Sequence, residues 1–90
     1  MSRTRVRVTV RLKPAILDPQ GRSVQATLHR LGHDGAENVR VGKVIEFTRP
    51  GPPDEAAHAA VRRMAEEVLA NPVLEDVEID LREAPDAPEG

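Results

Sequence analysis

Residues 5–12, Arg5-Val6-Arg7-Val8-Thr9-Val10-Arg11-Leu12, alternate apolar and polar side chains without a break. Successive side chains of a strand point to opposite faces, so Val6, Val8, Val10 and Leu12 share one face and Arg5, Arg7, Thr9 and Arg11 the other. Such a strand has one buried face and needs a second layer to cover it. Pro14 ends it. Asp18-Pro19 then opens a helix: an Asx side chain can accept backbone N–H bonds at the cap, and proline suits the first helical position. Val24, Leu28 and Leu31, joined by the methyl of Thr27, repeat at helical spacing, and Gly32 supplies the stop. The first helix is predicted over about residues 19–31.

A second β region follows between Gly35 and Pro50, in which Val39, Val41, Ile45 and Phe47 all fall on odd positions around Gly42-Lys43. A two-residue hairpin turn at Gly42-Lys43 throws Ile45 and Phe47 onto the face opposite Val41. One long strand bent at Gly42 keeps all four together and is the preferred reading. Lys43 then stands in the apolar register, which places the bend in solvent or at an interface.

Pro50-Gly51-Pro52-Pro53 is a rigid linker, and Asp54 with Glu55 puts acids at the positive end of a second helix dipole. Ala57, Val61, Met64, Ala65, Val68 and Leu69 form its apolar stripe, while Arg62/Glu66 and Arg63/Glu67 are i,i+4 pairs on the wet side. Asn71-Pro72 stops it. Val77, Ile79 and Leu81 alternate with Glu78, Asp80 and Arg82 in a last strand. The order β-α-β-α-β with amphipathic elements throughout predicts an α+β two-layer sandwich related to ferredoxin-like folds, both helices on one face of the sheet. Residues 1–82 form one domain on this reading. Residues 83–90, acidic and Pro-containing, are expected to be a disordered tail.

With 90 residues and one aromatic, Phe47, the core is thin and aliphatic. Domains this small bury only about 60% of their unfolded surface, so a self-associating chain is a physical expectation, and a long projecting strand offers an edge for it. No apolar run reaches the roughly 18–20 residues of a transmembrane helix, and Arg3, Arg5 and Arg7 lead into alternation rather than a signal-peptide core. The expected compartment is the cytoplasm. Net charge is −2, which argues against bulk attraction to nucleic acid or anionic lipid. The charges are nonetheless segregated: residues 1–17 carry five cations and no acid, residues 75–90 seven acids and one cation, Arg82. Pairing of the first and last strands, which neutralises both, explains this better than an anion-binding surface.

Chemistry is hard to find in this chain. It has no cysteine, and its serines and threonines lie outside any nucleophile motif. His29 and His33 are separated by the helix-ending Gly32, and Glu66-Glu67 and Glu75-Asp76 sit on polar positions where solvation suffices. Neither a Walker loop nor a dinucleotide glycine motif occurs. The outward row Arg5, Arg7, Thr9, Arg11 offers RNA charge without a stacking ring.

One segment is richer in constraint than a capped helix requires: Leu12-Lys13-Pro14-Ala15-Ile16-Leu17-Asp18-Pro19-Gln20-Gly21. It resembles the L-K-P-x-x-L-D-P-Q-G signature of PurS, the small-subunit family of phosphoribosylformylglycinamidine synthase, which serves the amidine-forming step of purine biosynthesis. Val39-Arg40-Val41-Gly42-Lys43 is similar to that family's V-R-x-G-K, and Leu69-Ala70-Asn71-Pro72-Val73-Leu74-Glu75-Asp76 to its L-A-N-P-V-I-E-D. Ala15 stands where the family often has glycine, and Val77 where it often has an aromatic.

The resemblance implies a noncatalytic subunit that joins a large ATP-dependent synthetase subunit (PurL) to a glutaminase subunit (PurQ) in the cytoplasm, so that ammonia from glutamine reaches formylglycinamide ribonucleotide. ATP, Mg2+ and glutamine are then used by the complex, with no catalytic, metal or cofactor residue on this chain. The partners are a second copy of the chain and the two enzyme subunits, not nucleic acid or membrane. Motif positions that a core does not explain are the candidate subunit contacts: Lys13, Asp18, Gln20, Gly21, Arg40 and Lys43. For Asp18 and Gly21, helix initiation is the competing explanation; for Arg40 and Lys43, ordinary solvated charge. The competing functional class is a standalone regulatory domain that binds a small metabolite.

Overall fold

The computed structural model describes residues 2–84. Strand β1 (Arg3–Leu12) is the centre of a three-stranded antiparallel sheet, flanked by β2 (Lys43–Pro50) and β3 (Glu75–Ala84) in the order β2-β1-β3. Helix α1 (Pro19–Arg30) follows β1, and α2 (Glu55–Met64) follows β2 and runs on into a π turn, Ala65–Leu69. This is the β-α-β-α-β order expected.

The period-2 alternation of β1 decides the core. Val6, Val8 and Val10 are fully buried on one face. In register beside them lie Phe47 and Ile45 of β2 and Leu81, Ile79 and Val77 of β3. Helix α2 covers this face with Ala57 and Val61, and the π turn adds Ala65, all buried. Small residues at those three positions let the helix approach closely, so a thin aliphatic core closes without aromatics. The carboxylate of Asp54 caps α2 by accepting from Ala57 N at 2.9 Å.

The opposite face carries the charges. Arg7 pairs with Glu46 at 3.2 Å, Arg11 with Glu78 at 2.9 Å and Lys13 with Asp76 at 2.7 Å, so the basic first strand is neutralised by both neighbours. Each pair is solvent-exposed and contributes little alone, at most about 1 kcal/mol; together they oppose misregistered pairing.

Four expectations need correction. First, α1 adds nothing to the core that α2 covers: no α1 side chain packs against it, only Gly21 of the helix is buried, and the C-cap residue Leu31 is 68% exposed. Second, the middle segment is not one long strand. Strand pairing begins at Lys43, opposite Val10, and residues 36–42 run as an irregular arm, because Val41 N, which would face Leu12, donates to the Asp18 carboxylate and Leu12 O accepts from the Arg40 guanidinium instead. Third, the apolar stripe of α2 does not extend regularly to Leu69. The π turn, marked by the Ala70 N to Ala65 O bond of 2.9 Å, rotates the last residues, leaving Val68 79% exposed while Leu69 still reaches the core. Fourth, Glu83 and Ala84, assigned by sequence to the tail, extend β3 against Thr4 and Arg3. The remainder of the expected tail, residues 85–90, lies outside the described residues.

Candidate functional site

The motif residues converge where β1 gives way to α1. Asp18 is the N-cap of α1 and is buried, with 4% of its surface exposed. Its Oδ1 accepts from Gly21 N at 2.9 Å, the capping bond that the Asp18-Pro19 pair predicts. Its Oδ2 accepts from Val41 N at 2.7 Å, a bond spanning 23 residues. One carboxylate thus caps the helix and moors the arm that leads into β2. Both backbone donors favour the charged form, that of Val41 most, and the Arg40 guanidinium adds to them; against the opposing effect of burial they hold the Asp18 carboxyl below its ordinary range.

Arg40 closes the site from the arm's side. Its Nη2 donates to the carbonyl oxygens of Leu12 at 3.3 Å, Lys13 at 2.9 Å and Ile16 at 3.1 Å, so that it ties off the turn between β1 and α1. A planar guanidinium with several N–H donors is well suited to such a cluster of carbonyls, of which Lys13 O also accepts from Ile16 N at 2.9 Å. Gln25 Oε1 accepts from Val39 N at 3.1 Å, a second mooring one helical turn further on.

The glycines are explained by the same geometry. A Cβ on Gly21 would overlap the Val39 carbonyl oxygen, and one on Gly42 would lie 2.5 Å from Val10 O. The arm can lie against the helix start and the end of β1 only where no side chain intervenes.

Of the six candidate contact residues, then, Asp18, Gly21 and Arg40 are brought together, and Lys13 joins them through its carbonyl. They bond to the chain itself, forming a clasp, rather than standing free for a partner. The Lys13 ammonium turns to Asp76, and its backbone N donates to Leu74 O at 2.9 Å, linking the Leu12–Gly21 motif to the Leu69–Asp76 motif. Inside the latter, Asn71 Oδ1 accepts from Val73 N at 3.0 Å and Glu75 Oε1 from Asn71 N at 2.7 Å, a self-bonded turn that sets the start of β3.

Gln20 and Lys43 are exposed, as Arg40 is, but stand outside the clasp. Gln20 borders an open, mainly apolar concavity of about 470 Å³ with Pro19, Ser23, Val24 and Val41. Lys43 occupies the inward register of β2 opposite the buried Val10, yet it is itself exposed. Sequence reasoning missed Gln25, whose mooring role leaves no periodic signal, and Thr4, buried with its Oγ1 donating to Gly51 O at 2.7 Å.

Among the described residues no three His, Cys, Asp or Glu side chains gather as a metal site, and no described helix is long and apolar enough to cross a membrane. A small sheet under a single helix, with its motif residues holding the chain's own arm in place, defines a small α+β domain of two layers.

The comparisons agree with that class and sharpen it. The family model described as "PurS: Phosphoribosylformylglycinamidine (FGAM) synthase" matches residues 5–83, so the chain belongs to the PurS family of FGAM synthase subunits. The phosphoribosylformylglycinamidine synthase subunit PurS of Synechocystis is 43% identical over 70 residues, 78% of this chain and 70% of that one. The structure of Thermus thermophilus PurS superposes with a TM-score of 0.77 at 42% identity, covering 92% of this chain and 99% of that one. A chain in the structure of PurLQS from Thermotoga maritima gives a TM-score of 0.79 at 27% identity, with 93% and 100% covered.

Proposed function

We propose that this chain is the noncatalytic small subunit of a phosphoribosylformylglycinamidine synthase, bridging the large ATP-dependent synthetase subunit and the glutaminase subunit. The observation that carries the reading is the family match over residues 5–83, together with the likeness to a chain of the PurLQS structure. The physical reading agrees: the motif residues maintain a shape and form no reacting constellation. Bridging raises the effective concentration of one enzyme subunit near the other and fixes their relative orientation, so that ammonia released from glutamine is captured before it escapes. ATP, Mg2+ and glutamine belong to the partner subunits. The complex works in the cytoplasm.

Self-association belongs to the same proposal. Ile45 and Phe47 are only half-buried on the inner face of β2, and Val24 of α1 and its C-cap Leu31 are exposed, so a monomer leaves much apolar surface uncovered. Gln20 and Lys43, both exposed, are the motif residues placed to contact another subunit.

Co-elution of the chain with the synthetase and glutaminase subunits on size exclusion tests the bridging role directly. Lys43→Ala should weaken that co-elution while leaving the fold intact, and an unchanged complex would count against Lys43 as a contact. A chain that never co-elutes, and is instead stabilised against heat by a small metabolite, would be a regulatory domain.

A further inference from the structure

The chain between Asp18 and Gly42 leaves the sheet, builds α1, turns back and returns to β2. It is bonded within itself. Gly32 N donates to His29 O at 3.0 Å and His33 N to Leu28 O at 2.9 Å, which closes α1 with a left-handed glycine at φ 98°. His29 Nε2 lies 2.7 Å from Ala36 O, and Gln25 holds Val39. Its bonding to the rest of the molecule is sparse. No α1 side chain packs on the core, and α1 makes almost no contact with the sheet or α2. What fastens the excursion is its base: the Asp18 carboxylate on Val41 N, the Arg40 guanidinium on the carbonyls of residues 12, 13 and 16, and the close approach of Gly42 to Val10.

From this the geometry points to a lobe, Pro19 to Gly42, that opens as a unit while the sheet and α2 remain folded, with the Asp18–Arg40 clasp as its latch. Local opening follows the number of buried apolar contacts that must be broken, and here the lobe has few while β1 has many. Tethering at both ends limits the entropy gained by opening, so the latch resides in a handful of hydrogen bonds rather than in a hydrophobic seam. Because α1 carries Val24, Leu31 caps its end and Leu17 lies just before it, the latch also sets where these exposed apolar side chains are presented.

Hydrogen–deuterium exchange of the full chain, in whatever oligomeric state it takes, tests this. In the wild type, amides of residues 22–31 should exchange faster than those of Val6, Val8 and Val10. Asp18→Ala and, separately, Arg40→Ala should each accelerate the 22–31 amides by about tenfold, the range of a lost cap, and leave the β1 and β3 amides unchanged. The Asp18→Asn change keeps one acceptor oxygen and should fall between. If the helix and sheet amides exchange together in the wild type, or if both alanine variants accelerate the two regions equally, the molecule is one cooperative unit and the inference is overturned. Unchanged exchange of the lobe in both variants would overturn it equally.

Discussion

Asp18 does two things with one carboxylate, capping α1 through Gly21 and mooring the arm through Val41. Its ionised form is the one that the two backbone donors and Arg40 stabilise, so its folded pKa lies below the ordinary value of 3.8. The sign follows: a depressed folded pKa contributes stability that is fully present well above the unfolded value and is lost as pH falls through the folded one. The stability gap between wild type and Asp18→Asn, measured by denaturant titration, should therefore be constant from neutral pH down to about pH 5 and shrink below it. A gap that persists unchanged into strong acid would mean that the carboxylate charge plays no part. Gly21 offers a steric counterpart. Gly21→Ala places a Cβ into the Val39 carbonyl and should cost about 1–3 kcal/mol, whereas Gly35→Ala, with open space around it, should stay within about 0.5 kcal/mol. Thermal or urea midpoints at fixed protein concentration read both.

Among the elements, β1 and β3 were legible from the sequence because a period of 2 states both the strand and its buried face, and the opposed charges of residues 1–17 and 75–84 pointed to their pairing. The fate of α1 was not legible. Val24, Leu28 and Leu31 declare an apolar stripe, but a stripe does not say what covers it. Parity likewise carried the middle strand back to Val39, although a ladder needs free backbone groups, and those of Val41 and Leu12 are taken by the Asp18 and Arg40 side chains. The π turn is invisible for a related reason: Val68 fits the helical period, and only an i→i+5 bond turns it outward. The motif signalled Asp18, Gly21 and Arg40, but not their role, since their partners are backbone atoms that every residue possesses. Two substitutions test the α2 description. Val61→Ala, removing methyls from a fully buried site, should cost about 2 kcal/mol in urea denaturation, and Val68→Ala should stay within about 0.5 kcal/mol. Comparable losses at both positions would mean that α2 runs on regularly through Leu69.

At the scale of the whole molecule the described chain is a flat body of 52 × 32 × 17 Å, with a single helix over a three-stranded sheet and a clasped lobe beside it. A shape so thin leaves Ile45 and Phe47 half covered and α1 in solvent, which suits a subunit completed by its neighbours and not one that encloses a substrate. As the bridging subunit proposed above, the chain connects the synthetase to the glutaminase. The most direct measurement compares amidine synthesis by the synthetase and glutaminase subunits from the same source, with and without this chain, using either glutamine or ammonium chloride as the nitrogen donor. A bridge should be required for the glutamine-dependent rate and should leave the rate with saturating ammonium nearly unchanged. Equal glutamine-dependent rates in its absence would contradict the account.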